Sequence, residues 1–326
     1  MRWLRVLACT LLLAPAGWAC GGAQAHRVQR VNLITGSTGS SWYSIGSAIA
    51  ERTNALLPGY PVTAVPGAGG VSNPARVARM PGDLGLSFSP FLRAAYRGDP
   101  PYQQAYPELR HVATLIENRF HLLMADGLGS RDLADVIARR AAVRISTGPP
   151  GSGEEFLLRE TLAYFGVSYD DIRAWGGRVD LLGTGERADS WRDRHADIVT
   201  FSINEPAPVV SELLTTRAGH LWSLPKGAID HLVARWGIRP AVIDEGVYPQ
   251  QGETVTVGVP FVVFTTEDVD AEIVDAMTRA IAESREYLET VHAGFRRWTP
   301  EMMAEHDELP LHPGAARYYR ERGWLP

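Results

Sequence analysis

Val31-Asn-Leu-Ile34, followed by Thr35-Gly-Ser-Thr-Gly-Ser-Ser41, is the stretch that decides the fold. A short apolar run that stops at a Gly/Ser-rich segment is typical of a buried strand that ends in a loop. After the loop, Ile45, Ile49 and Leu56 follow at helical spacing among small residues. The stretch therefore predicts a strand, a loop and a helix in succession.

The same unit recurs twice in the next fifty or so residues. Val62-Thr-Ala-Val65 runs into Pro66-Gly-Ala-Gly-Gly70, with a helix expected from about Val71. Leu84-Gly-Leu-Ser-Phe88 is a third apolar run with a polar exit at Ser89. Strands that alternate with helices predict a parallel sheet with right-handed crossovers, and hence an α/β fold.

A second series of such units begins after the apolar run 120–125. Strands are predicted over 142–146 and 197–201, and helices over 154–165 and about 206–214. Thr147-Gly-Pro-Pro-Gly-Ser-Gly153 is the loop after the first of these strands. One architecture thus occurs twice, which predicts two lobes, and 326 residues suit two α/β lobes of ordinary size.

The C-terminal part predicts a return to the first lobe. Residues 254–264 form a long β-rich run that would carry the chain back, and 269–291 has the pattern of one long amphipathic helix. We expect 26–125 plus 255–326 to form the first lobe and 126–254 to form the second.

The first 25 residues are typical of an export signal. Arg2 and Arg5 precede the apolar segment 6–16, which is too short to span a bilayer, and Ala23-Gln-Ala25 resembles a cleavage site. An alternative is a lipoprotein box at 16–20, with Cys20 acylated. Both interpretations place the product outside the cytoplasm, in the periplasm. Cys9 and Cys20 are the only cysteines, so the mature chain has no disulfide and no cysteine nucleophile.

Charge and motifs exclude several classes of function. The formal net charge is −5, Lys226 is the only lysine, and no basic stripe indicates a nucleic-acid surface. Gly148 to Gly153 lacks the Lys-Ser/Thr ending of a phosphate loop, and the nine histidines have no metal-ligand spacing. We therefore expect a binding protein with no cofactor and no metal; the alternative is a periplasmic hydrolase that uses Ser40 or Ser152 as its nucleophile.

Gly/Ser/Thr-rich segments at 35–41, 66–72, 147–153 and 202–205 follow predicted strands. Ligands of open α/β sheets bind outside the carboxyl ends of the strands, and a helix N-terminus there favours an anion. Four such segments across two lobes predict a cleft lined by backbone donors that suits a small carboxylate. Taken singly, each segment is also compatible with an ordinary turn in which Gly and Ser serve geometry and capping.

Several of these segments together resemble the TAXI family of TRAP transporter solute receptors, over nearly all of the mature chain. The resemblance rests on 35–43, 66–73, 83–87, 151–153, 246–250 and 254–259, and above all on Pro310-Leu-His-Pro-Gly-Ala-Ala-Arg-Tyr-Tyr-Arg-Glu-Arg-Gly323. It implies a two-lobed periplasmic-binding-protein-like fold of type II, with a ligand cleft between the lobes. It also implies that a monomeric receptor delivers an organic acid or amino acid, similar to glutamate or 2-oxoglutarate, to TRAP membrane permease subunits. A sensory protein that presents its ligand to a membrane kinase is the alternative.

By the same resemblance, five segments line the cleft. The candidate ligand-binding residues are Gly36, Ser37, Thr38, Gly39, Ser40, Ser41, Trp42, Tyr43, Gly69, Gly70, Val71, Phe88, Ser89, Thr147, Gly148, Ser152, Gly153, Glu154, Phe201 and Asn204. Trp42 and Tyr43 could stack on the ligand or pack the start of the first helix, and the Tyr43 hydroxyl could donate to a carboxylate.

The chain departs from the family at 154 and 155, where Glu-Glu replaces the usual Thr-Arg, and at 89–91, where Ser-Pro-Phe stands in place of a polar residue. The first change substitutes acid for a residue that would help to hold an anion. An acid in the cleft could instead bind the ammonium of an amino acid.

Overall fold

The computed structural model describes residues 30–130, 132–306 and 308–325. The predicted signal segment 1–25, both cysteines and the start of the mature chain at His26 lie outside the described residues. In the part that the structure describes, no helix is both long enough and apolar enough to cross a membrane.

Strands and helices alternate through most of the chain. The strands are β1 Val31–Ile34, β2 Val62–Val65, β3 Leu84–Phe88, β4 Leu109–Ala125, β5 Arg144–Thr147, β6 Arg178–Leu181, β7 Ile198–Ile203, β8 Gly219–Leu221, β9 Arg239–Ile243 and β10 Thr254–Thr266. The helices are α1 Ser41–Leu56, α2 Asn73–Ala78, α3 Ser89–Arg97, α4 Leu133–Ala138, α5 Gly153–Tyr164, α6 Tyr169–Ala174, α7 Thr184–Arg192, α8 Pro208–Thr216, α9 Lys226–Trp236, α10 Ala271–Ala282, α11 Arg285–Val291 and α12 Pro313–Glu321.

The described strands form one sheet in the order β2-β1-β3-β10-β4-β7-β5-β6, with β8 on β4 and β9 on β10. The strands β2, β1 and β3 are parallel to one another, as are β7, β5 and β6. Each parallel set belongs to one of the two series predicted from the sequence.

The centre of the sheet is antiparallel, which differs from the parallel sheet expected. β10 runs antiparallel to both β3 and β4, and β4 runs antiparallel to β7. The reason lies in β4 and β10, long buried strands of 17 and 13 residues that belong to neither repeated unit. β4 passes from β10 at its start to β7 at its end, so it joins the two parallel sets. The lobe boundaries at 125/126 and 254/255 stay a prediction.

The helix expected over 269–291 is two helices, because the chain leaves the helical conformation at Ser284. Helix α10 ends at Ala282 and α11 begins at Arg285, with φ −110° and ψ 22° at Ser284. The hydroxyl of Ser284 accepts a hydrogen bond of 2.9 Å from Arg52 Nε, so contact with α1 holds the break. The apolar periodicity continues through the break, which is why the pattern concealed it.

The C-terminal motif fastens α12 to the sheet. The backbone N–H of His312 donates to the carbonyl of His111 on β4, and Tyr319 Oη donates to the carbonyl of Val112. Gly314 leaves room for the backbone of α10, because a Cβ there would lie 2.4 Å from the carbonyl oxygen of Ala271. The most specific segment of the resemblance is therefore a packing motif at some distance in sequence from the predicted ligand loops.

Candidate ligand-binding cleft

A cleft lies at the carboxyl ends of strands from both parallel sets. It contains about 510 Å3 of space between atoms, a volume that includes its opening to solvent. Its walls come from the loops after β1, β2 and β5, the ends of β3 and β7, and the first turn of α7. The lining residues are Gly36, Ser37, Ser40, Ser41, Trp42, Ala68, Gly69, Gly70, Phe88, Pro149, Ser152, Gly153, Glu154, Thr184, Arg187, Phe201, Ser202 and Ile203.

Three helices begin at the cleft. Ser40 caps α1 by accepting from the N–H of Tyr43 at 3.3 Å, and Ser152 caps α5 by accepting from the N–H of Glu155 at 3.3 Å. Thr184, the first residue of α7, also lines the wall. The free N–H groups and partial positive charge of a helix N-terminus favour an anion, so all three helices make the cleft attractive to negative charge.

Phe88 forms an apolar wall that two glycines accommodate. A Cβ on Gly70 or on Gly153 would lie 2.4 Å or 2.1 Å from ring atoms of Phe88. The ring also makes an edge contact with Trp42, with centroids 4.7 Å apart, so it has no space to withdraw. Gly70 and Gly153 come from different halves of the sheet, and Phe88 packs between them.

A buried ion pair lies in the wall of the cleft. Arg187 is 2% exposed, and its Nη1 donates to Glu154 Oε1 at 2.5 Å. Its Nη2 donates to Thr184 Oγ1 at 3.2 Å, and its guanidinium carbon lies 4.9 Å from the centre of the Phe201 ring. The sequence has acids at 154–155 where the resemblance leads us to expect a cation, and α7 supplies a cation, Arg187, at this place instead.

Three buried polar atoms of the lining residues have no partner within the described protein. They are Trp42 Nε1, Arg187 Nε and Ser202 Oγ. Indole and guanidinium nitrogens only donate, and a serine hydroxyl can donate. Buried polar groups are nearly always hydrogen-bonded, so these three donors are suited to acceptor atoms supplied by a ligand or by bound water.

The two halves touch along one side of the cleft. The N–H groups of Val71 and Ser72 both donate to the carbonyl of Gly151, at 3.1 and 3.2 Å. These bonds join the loop after β2 to the loop after β5. The structure therefore shows the cleft with its two sides in direct contact.

Most of the residues predicted to bind ligand lie together in this cleft. They are Gly36, Ser37, Ser40, Ser41, Trp42, Gly69, Gly70, Phe88, Ser152, Gly153, Glu154 and Phe201. Of the two adjacent aromatic residues, Trp42 lines the cleft and Tyr43 does not.

The other candidates lie elsewhere, and none of them lines the cleft: Thr38, Gly39, Tyr43, Val71, Ser89, Thr147, Gly148 and Asn204. Thr38 and Gly39 are exposed on the loop after β1. Thr147 is buried and shares a 2.7 Å hydrogen bond with Thr200. Asn204 lies in a separate cavity with Glu117, Arg119 and Glu205. Burial raises the pKa of the Glu205 carboxyl above its usual range.

Thr184 and Arg187 line the cleft but are not among the residues predicted from the sequence, because the segment that carries them is not one of the predicted ligand loops. Leu182-Gly-Thr-Gly-Glu186 directly follows β6 and opens α7, so it repeats the strand–loop–helix pattern of the other loops. This repeated pattern is the feature of the sequence from which a fifth ligand loop could have been predicted. Nothing in the local pattern places Arg187 beside Glu154, which is 33 residues away.

The fold is that of periplasmic binding proteins. The chain is similar to MatC from Rhodopseudomonas palustris, a structure with bound malate, at 14% identity and a TM-score of 0.57 over 91% of this chain and 98% of that one. It is also similar to the periplasmic binding protein BugD, at 11% identity and a TM-score of 0.53 over 91% of this chain and 95% of that one. A third neighbour is an R. palustris protein with adipate. Its sequence is 14% identical, and the TM-score is 0.50 over 83% of this chain and 95% of that one. The predicted α/β periplasmic-binding-protein-like fold is confirmed.

The family is shown by a match to a sequence model. Residues 33–323 match the model of the NMT1-like family, which covers nearly the whole of the described chain. This protein belongs to the NMT1-like family.

Proposed function

We propose that this protein is an extracytoplasmic receptor that binds a small organic anion in the cleft and delivers it to a membrane permease. The observation that carries the proposal is the set of unpartnered donors, Trp42 Nε1, Arg187 Nε and Ser202 Oγ, in one cleft. Three helix N-termini around the same space add positive potential. A carboxylate has the acceptors and the charge that this arrangement requires.

Two kinds of similarity support the proposal. Structural neighbours with the same fold carry malate and adipate, which are small organic acids. The sequence motifs resemble TAXI receptors, which supports a TRAP-type permease as the partner and names glutamate and 2-oxoglutarate among candidate ligands. The export signal predicted over 1–25 supports a periplasmic location.

The hydrolase alternative lacks the necessary base in the cleft. The hydroxyls of Ser40 and Ser152 serve as helix caps. Of the described residues that line the cleft, only Glu154 and Arg187 have ionisable side chains, and they pair with each other. A serine nucleophile needs an adjacent base within hydrogen-bond reach, and neither serine has one there.

A thermal-shift panel of small carboxylates and amino acids tests the proposal. A true ligand at roughly a hundredfold its Kd adds about 2.7 kcal/mol to the free energy of unfolding, which raises the Tm. The ligand found is then measured by calorimetry against Arg187→Gln, which we expect to bind at least about tenfold more weakly because a charge-assisted bond is lost. Arg192→Gln, an exposed arginine on the same helix, is the matched control and keeps the affinity.

Arg187→Gln leaves Glu154 without its ion-pair partner, which could prevent folding. A second variant therefore tests the same cleft independently. Trp42→Phe removes the Nε1–H donor and keeps an aromatic ring at the same place, and we expect an affinity loss of about 1 kcal/mol. A flat Tm response across the whole panel, or unchanged affinity in both cleft variants, would contradict the proposal.

A further inference from the structure

The cleft carries no net side-chain charge. Glu154 and Arg187 are the ionisable side chains among the described residues of its wall, and they neutralise each other at 2.5 Å. The remaining positive potential comes from the N-termini of α1, α5 and α7. Those are partial charges of about half a unit each, and Glu155 and Glu186 in the first turns of α5 and α7 offset part of them. The remaining potential therefore suits no more than one negative charge.

From this charge balance we infer that the ligand is a monocarboxylate with an uncharged, largely apolar remainder. The inference rests on the proposed function and narrows its substrate class. The carboxylate accepts from Arg187 Nε, Trp42 Nε1 and Ser202 Oγ. The remainder of the ligand lies against the rings of Trp42, Phe88 and Phe201.

A dicarboxylate does not suit this cleft, because its second charge would have no cation. Arg187 already has a carboxylate partner in Glu154, and it is the arginine of the described cleft wall. A buried charge without a partner is strongly disfavoured. Glu154 therefore determines specificity, because it neutralises the Arg187 cation with which the second charge of a dianion would otherwise pair.

A zwitterion does not suit it either. An ammonium group has three donors and no acceptor, so it needs acceptors in the wall. The unpartnered nitrogens of Trp42 and Arg187 are donors, and Glu154 Oε1 is already bonded to Arg187. The aromatic rings of the wall offer no strong acceptor, and its serine and threonine hydroxyls are neutral, so they do not compensate the positive charge of an ammonium.

Matched acids that differ only at the far end test the inference. Hexanoate, adipate and 6-aminohexanoate share one carbon skeleton, and butyrate and succinate form a shorter pair. Calorimetry with the wild-type protein should show a monocarboxylate binding at least about tenfold tighter than its dicarboxylate and amino counterparts.

Glu154→Gln then tests the role of the acid. The glutamine can still accept a hydrogen bond from Arg187 but leaves its charge uncompensated, so the ratio of dicarboxylate to monocarboxylate affinity should rise by at least about tenfold. Glu155→Gln is the matched control: Glu155 is the next residue, pairs with Arg159 and does not line the cleft. The control should keep the wild-type ratio, and melting curves verify that both variants fold.

The outcomes separate this inference from the proposed function. Tighter binding of succinate or adipate, or of 6-aminohexanoate, overturns the monocarboxylate inference and leaves the anion receptor standing. An unchanged ratio in Glu154→Gln also overturns it. Failure of every organic anion to bind overturns both proposals.

Discussion

His121 is a buried residue whose two ring nitrogens are both engaged. Nδ1 lies 2.9 Å from the carbonyl oxygen of Arg119, and Nε2 lies 2.8 Å from the hydroxyl of Tyr248. A carbonyl only accepts, so Nδ1 carries the proton and Nε2 accepts from the Tyr248 hydroxyl. That hydroxyl in turn accepts from the N–H of Ala207 at 3.0 Å. The neutral imidazole satisfies every partner, and burial lowers the pKa of His121 to about 4.

This arrangement predicts a loss of stability in mild acid. The unfolded chain protonates His121 below about pH 6.5, whereas the folded protein resists until about pH 4. The stability that neutral His121 contributes to the fold is therefore complete above pH 6.5, and it is lost as the pH falls toward 4. At pH 5 we expect the free energy of unfolding to be about 2 kcal/mol lower from this residue alone. Urea unfolding at pH 7 and pH 5 measures the loss.

Variants assign the loss to His121. His121→Gln should show a smaller difference between the two pH values, whereas His195→Gln, at an exposed position, should show the wild-type difference. Burial also lowers the pKa values of His292 and His312, so a remaining loss in both variants is expected. Identical pH dependence in His121→Gln and wild type would contradict the assignment.

At the scale of elements, serine caps position the helix N-termini that face the cleft. Ser40 and Ser152 each accept a bond from the N–H three residues on, which fixes the first turn of α1 and α5. Fixing that turn also fixes the direction of the free N–H groups. The residue type at the cap therefore links helix stability to ligand binding.

Ser152→Ala tests this link. Removal of a cap costs about 1 kcal/mol of stability, and fraying of the α5 N-terminus should also weaken ligand affinity severalfold. Ser168→Ala is the matched control, since Ser168 caps α6 by accepting from the N–H of Asp171 and lies away from the cleft. It should lower the Tm and keep the affinity. Equal affinities in the two variants would show that the α5 N-terminus does not contact the ligand.

At the scale of the whole molecule, Gly151 joins the two sides of the cleft. Its carbonyl accepts from Val71 and Ser72, and a Cβ on Gly151 would lie 2.9 Å from Ser72 Cβ. Its φ of 85° lies in the left-handed region, which glycine adopts at little cost. Close approach of the two loops thus depends on the absence of a side chain.

We expect Gly151→Ala to bind ligand about tenfold more weakly, because the added methyl separates the two loops that are in contact beside the cleft. Gly129→Ala is the control: φ is 66° there and a Cβ would meet nothing within 4 Å. Both variants should lose about 1 kcal/mol of stability from the positive φ, and only Gly151→Ala should lose affinity. Small-angle scattering with saturating ligand should show a larger radius of gyration for Gly151→Ala than for the control. Equal affinities would contradict a role of this loop contact in ligand binding.

Local patterns in the sequence determined the positions of several strands and of the loops that follow them. The strands β1, β2 and β3 have the bounds that the apolar runs predicted, because a short apolar run ended by Gly or Ser carries both the burial and the stop signal within a few residues. The loops after β1, β2 and β5 lie where they were predicted, although Thr147 belongs to β5 and Ser41 and Gly153 are the first residues of helices. Their place at the carboxyl ends of strands was sufficient to predict where a cleft would form.

Only the tertiary structure decided what the cleft contains and how its halves meet. Arg187 reaches Glu154 because α7 and α5 start beside each other, and no local pattern in the sequence indicates that separation of 33 residues. The antiparallel centre of the sheet arises from the pairing of β4 with β10, which are more than a hundred residues apart. Pairings between distant segments depend on the packing of the whole chain, whereas strands, caps and turns depend on neighbours in sequence.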